Sequence, residues 1–147
     1  MSLIDVSKYS GTIGSLVVNG SIGQKASATS DSININTGTA ASLQGQQSVS
    51  IGCQTAANTQ GANCVAIGYQ SGQINQSNNA IAIGSNTAHN LQGIGAIAIG
   101  YYAGSSGQGT DAVAIGQGAG LTNQGANAIC IGTNAGQTNC SAGAYSS

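Results

Sequence analysis

Apolar residues in this chain fall into a five-residue pattern, small–Val/Ile–small–Ile–Gly, that returns every 16 residues. It reads Ser48-Val-Ser-Ile-Gly52, Cys64-Val-Ala-Ile-Gly68, Ala80-Ile-Ala-Ile-Gly84, Ala96-Ile-Ala-Ile-Gly100, Ala112-Val-Ala-Ile-Gly116 and Ala128-Ile-Cys-Ile-Gly132. A degenerate copy, Ser32-Ile-Asn-Ile-Asn36, stands one period earlier. Alternation with a period of two predicts a β-strand in each copy. One face of those strands carries Val49, Ile51, Val65, Ile67, Ile81 and Ile83, continuing with Ile97, Ile99, Val113, Ile115, Ile129 and Ile131. The other face carries Ala, Ser or Cys, with Asn34 the one larger residue. A short period kept without slip is the mark of a solenoid, in which each repeat is one coil of a stack.

The rest of each coil follows the same phase. Numbering a coil from the first residue of its pentapeptide, position 5 is Gly, or Asn at Asn36, which predicts a turn at positive φ. Positions 6 and 7 vary, as exposed turn residues do, and include Tyr69, Tyr101 and Tyr102. Positions 8 and 9 are always small, so the return segment passes close to the strand. Position 13 is Gln in consecutive coils, at Gln44, Gln60, Gln76, Gln92, Gln108 and Gln124. Stacked strands lie roughly 4.8 Å apart, a spacing at which these amides form a hydrogen-bonded ladder. Position 14 is Gly or Ser, consistent with a second turn.

No charged residue occurs on either strand face in any copy. A strand with one wet face normally shows polar or charged residues there, so both faces read as covered. A coil has one interior and covers one face only. The chain has no spare segment large enough for the other, which implies homo-oligomerisation.

Composition sharpens this. Of 147 residues only 3% are charged, the formal net charge is −1 and proline is absent. Strands whose N–H groups all feed ladders select against proline. The charge balance supports neither a nucleic-acid groove nor an anionic membrane surface. The start, Met1 to Lys8, lacks the basic start and long apolar run of a secretory signal, and no stretch reaches the ~18 apolar residues of a membrane span. The expected organisation is an N-terminal cap or docking segment over 1–31, with a worn copy at Leu16-Val-Val-Asn-Gly20, then a seven-coil solenoid over 32–147 that ends in a partial coil.

The pentapeptides with their Gly- and Ala-rich return resemble the AIAIG-type head repeats of trimeric autotransporter adhesins and related trimeric fibre proteins of phages and large viruses. The resemblance covers 32–147. It implies a left-handed parallel β-roll, three of which pack side by side with positions 1 to 5 toward a threefold axis. The repeat here is 16 residues rather than the usual 14 of the adhesins, and the adhesins' coiled-coil stalk and membrane anchor have no counterpart in the chain. A fibre attached to a capsid or tail, or an extracellular filament subunit, fits that pattern better than a self-standing autotransporter.

Candidate chemistry is sparse. The chain has no Glu or Arg, one His (His89) and three Asp (Asp5, Asp31, Asp111), with Asp31 and Asp111 separated by about 20 Å or more of stacked coils. No enzyme activity, metal or cofactor is expected. Cys130 and Cys140 fall in one coil and form a candidate disulfide, the other reading being that Cys64 and Cys130 simply replace buried Ala or Ser. Tyr69, Tyr101 and Tyr102 are candidate ligand contacts, or else cover an edge or a neighbouring subunit. The leading functional expectation is a trimeric fibre or spike domain on a virion or cell surface, anchored through 1–31 by a capsid, tail or other protein. A self-assembling filament subunit is second. An ice-binding solenoid is third, on the Thr at position 8 of several coils.

Overall fold

The computed structural model describes residues 33–37, 44–141 and 145–146. The segment 1–31, with the capping and anchoring roles expected of it, lies outside the described residues. Each pentapeptide supplies a strand, and from the third copy to the sixth the return segment supplies another. In chain order these are β1 (Ile33–Thr37), β2 (Val49–Cys53), β3 (Val65–Ile67), β4 (Ile74–Gln76), β5 (Ile81–Ile83) and β6 (Asn90–Gln92). They continue as β7 (Ile97–Ile99), β8 (Ser106–Gln108), β9 (Val113–Ile115), β10 (Thr122–Gln124), β11 (Ile129–Ile131) and β12 (Tyr145–Ser146).

The architecture is an all-β parallel solenoid. An eight-stranded sheet runs β1-β2-β3-β5-β7-β9-β11-β12, and a four-stranded sheet of return strands runs β10-β8-β6-β4. Every pairing is parallel and joins residues one period apart, as in Val65 with Ile81, Ala66 with Ala82 and Gln76 with Gln92. The 16-residue period therefore sets the register directly, because equal coil lengths put equivalent residues side by side.

Two hydrogen-bonded turns close a coil. In one, Ala103 N–H donates to Gly100 O at 3.3 Å, and its third residue, Tyr102, has φ 58°. In the other, Ala112 N–H donates to Gly109 O at 3.3 Å, and its third residue, Asp111, has φ 55°. Positive φ at the third residue is the type II arrangement. Five of the matching residues in other coils, Asn63, Asn79, Asn86, Asn127 and Asn134, are the type that best tolerates this conformation after Gly, and Gln47, Gln54 and Gln70 adopt it as well.

Position 5 needs Gly for two reasons at once. At Gly100 φ is 129°, and a Cβ there would sit 2.7 Å from Gly116 O in the next coil. Coils stack so closely at this corner that no side chain fits between them.

The interior is lined by small residues. Ala66, Ala82, Ala98 and Ala114 at position 3, and Ala80, Ala96, Ala112 and Ala128 at position 1, are fully buried. Opposite them lie Ala88, Ala103 and Ala119, also fully buried. The Gln column fills the remaining space, with Gln76, Gln92 and Gln124 among the largest fully buried side chains. A buried methyl contributes only about 0.8 kcal/mol, so this core depends heavily on its satisfied backbone. Large apolar side chains are excluded from it. Val and Ile of the main strands point outward, and that face, which the sequence alone presents as covered, is half-exposed on the single chain.

Candidate assembly and ligand-contact surfaces

The outward face of the main sheet is built from two columns. Val49, Val65, Ile81, Ile97, Val113 and Ile129 form one, and Ile51, Ile67, Ile83, Ile99, Ile115 and Ile131 the other. Each side chain stacks on its neighbours along the axis, which leaves most half-buried while Ile99 and Ile131 remain exposed. The face is continuous, apolar and uncharged.

The Gln column lies on the opposite side of the main strands, inside the coil. Each amide reaches across to the strand of its own coil. Gln60 Nε2 donates to Val49 O at 3.1 Å, Gln76 to Val65 O at 3.0 Å, Gln92 to Ile81 O at 2.7 Å, Gln108 to Ile97 O at 2.8 Å and Gln124 to Val113 O at 2.7 Å. Gln44 is half-buried and makes the same bond to Ile33 O at 3.1 Å. Bonds along the axis, the ladder expected from the sequence, occur from Gln60 to Gln76 and from Gln92 to Gln108, both at 3.2 Å. The cross-coil bonds dominate because carbonyls of the main strand lie within reach of every amide. They tie the two sheets together.

In the last full coil the column changes chemistry. Cys140 stands where Gln stands elsewhere, and it is disulfide-bonded to Cys130 of the strand opposite. Both are buried. Cys64 is a free buried thiol that donates to Ser77 O at 2.9 Å, and burial pushes its pKa up. Cys53 is free and exposed at the end of β2.

Position 8 faces inward. Thr55, Ser71 and Thr87 are fully buried, and Thr55 and Thr87 donate to Gly68 O and Gly100 O across to the next coil. The Thr column considered for ice binding is therefore an interior feature over these coils and presents no surface.

Tyr69, Tyr101 and Tyr102 are exposed on the edge formed by the first turns. The rings of Tyr101 and Tyr102 meet edge to face, with centroids 4.4 Å apart and planes at 70°. A side-chain hydrogen bond with Tyr102 raises the pKa of Tyr101. Beside this pair is a groove of about 280 Å³ lined by Tyr101, Tyr102, Gln117, Gly118, Leu121, Asn134 and Gln137. Two further grooves, of about 380 and 300 Å³, run along the return strands and second turns past Asn75 and Ser77, and have no aromatic lining.

Among the described residues, no three His, Cys, Asp or Glu side chains cluster as a metal site would require. No helix among them is long and apolar enough to cross a membrane. His89 is half-buried on a return segment and Asp111 is exposed at a second turn. No family model, curated protein or solved structure matches the chain.

Proposed function

We propose that this chain is a non-enzymatic fibre or spike domain that associates side by side with copies of itself, three around an axis, through the Val/Ile face. The observation that carries this reading is the pair of outward aliphatic columns over β2, β3, β5, β7, β9 and β11. Completing the burial of a partly exposed Val or Ile is worth roughly 0.5 kcal/mol. Summed over the twelve side chains of the columns, this is on the order of 6 kcal/mol per protomer, within the roughly 4–15 kcal/mol cost of association. The resemblance of the pentapeptides to adhesin and viral-fibre head repeats points to the trimer and to a site of action on a virion or cell surface.

Native mass spectrometry with negative-stain imaging tests the reading. A discrete trimer is the expected result, with Ile83→Lys and Ile115→Lys giving folded monomers. A wild-type monomer at micromolar concentration overturns it. Long fibrils favour the filament subunit instead. That second reading draws on the terminal strands β1 and β12, each paired on one side only within the described residues.

A further inference from the structure

One column on the turn edge is interrupted. Position 7 carries Gln54, Gln70, Asn86, Tyr102, Gly118 and Asn134 in successive coils, so five coils place a side chain there and one does not. Gly118 is buried, and it forms the floor of the groove beside the tyrosine pair. Tyr102 stands one coil before it and Asn134 one coil after, with Asn134 Oδ1 leaning over the glycine to 2.5 Å from where a Cβ would stand, so the groove is a notch with an aromatic wall on one side and an amide wall on the other. Leu121 and Gln137, from the start of the return segments, complete the lining with Gln117 and Tyr101.

We propose that this notch binds one ring of a neutral saccharide. A sugar ring has apolar C–H faces and a rim of hydroxyls that both donate and accept. The tyrosine rings and Leu121 offer apolar surface for the first. The amides of Gln117, Asn134 and Gln137 each offer donors and an acceptor for the second. Asp111 is the single charged residue among the described residues, and it does not line the groove. An anionic or cationic ligand therefore finds no counter-charge there. An extended peptide is poorly served too, because the local backbone is already paired: Gly118 N–H donates to Tyr101 O at 2.9 Å and Asn134 N–H to Gln117 O at 2.7 Å. No free edge is left between these coils for β-addition. The volume, about 280 Å³, falls just under the roughly 300–1,000 Å³ of sites for drug-sized ligands and suits a single ring of a longer glycan.

The site supplies a ligand for the proposed surface-contacting domain, and its geometry lies within one chain whatever the oligomeric state. The test is saturation-transfer NMR of the full chain against glucose, galactose, mannose and N-acetylglucosamine, with sialic acid as the anionic comparison. At least one neutral sugar is expected to receive saturation, and the signal is expected to vanish in Gly118→Asn. Asn occupies the same position at Asn86 and Asn134 with φ of 54° and 57°, so the backbone accepts it. The new Cβ would stand 2.5 Å from Asn134 Oδ1, the free end of a side chain that can swing aside. Tyr101→Ala, at an exposed side chain, is expected to lose the signal as well and decides the matter if Gly118→Asn does not fold. The proposal is overturned if no neutral sugar binds the wild type, if sialic acid alone binds, or if the folded variants bind unchanged. Native mass spectra of the same samples separate this from the assembly reading: a trimer without sugar binding refutes the notch only, and a sugar-binding monomer refutes the assembly only.

Discussion

Gln92 Nε2 lies 3.2 Å from Gln108 Oε1 in the next coil, 2.7 Å from Ile81 O across its own coil and 3.1 Å from Ala96 O at the start of the next. One buried amide thus joins both sheets and two successive coils. In a core otherwise made of Ala, Ser, Thr and Cys side chains, this column does what interlocking aliphatic side chains do in a larger protein.

Replacing it should be costly. Gln92→Ala leaves two backbone carbonyls without this donor and opens a void, for an expected loss of about 2–4 kcal/mol. Gln92→Leu fills the volume but not the hydrogen bonds, and should still lose roughly 1–3 kcal/mol. Urea unfolding followed by circular dichroism measures both. A Leu variant as stable as wild type would show that the amide contributes packing alone.

The two faces of one strand should respond oppositely to size. Ala98 is fully buried and its neighbour Ile99 is exposed. Ala98→Leu overfills the coil and is expected to destabilise it by about 1–3 kcal/mol or more. Ile99→Ala should change the unfolding of the isolated chain by less than about 1 kcal/mol and weaken self-association instead. Melting curves and sedimentation on the two variants give the comparison.

The free thiols should differ in reactivity. Burial raises the pKa of Cys64, so its thiolate is scarce at pH 8, whereas Cys53 is exposed. A disulfide reagent is expected to modify Cys53 in the native protein and Cys64 only on unfolding, read by mass spectrometry of the labelled peptides. Because the folded pKa of Cys64 is the higher one, its contribution to stability is intact below the ordinary thiol pKa. That contribution is lost as pH rises through the raised value.

The Cys130–Cys140 bridge closes a short span of 10 residues. A loop of this length stabilises the fold by roughly 2–3 kcal/mol on the chain-entropy account. Reduction should speed amide exchange at Ile129–Ile131 ahead of the central strands. Cys130→Ala with Cys140→Gln restores the residues of the other coils, and should recover most of that protection without the bridge. Exchange measured by mass spectrometry distinguishes a covalent staple from a dispensable variation.

Much of the fold was legible in the residues themselves. The 16-residue period dictated parallel pairing and register, because coils of equal length bring Val65 beside Ile81 and Gln76 beside Gln92. Gly at position 5 announced the first turn. The tyrosine groove was legible only in part: Tyr101 and Tyr102 stood out as exposed aromatics, but the gap at Gly118 gains meaning only when coils are stacked. The signal was present as the one Gly in a column of Gln, Asn and Tyr.

Which face of the main strand turns inward was decided by the tertiary structure. Alternation separates Ala98 from Ile99 but treats the two faces alike, and ordinary hydrophobicity would place Ile inside. The coil reverses that choice because it is narrow. Its turns stack with backbone against backbone, the return strand passes close by, and a Gln amide must reach the opposite carbonyl. Only small side chains, Ala, Ser or Cys, fit beside that amide, so the aliphatic columns are turned outward.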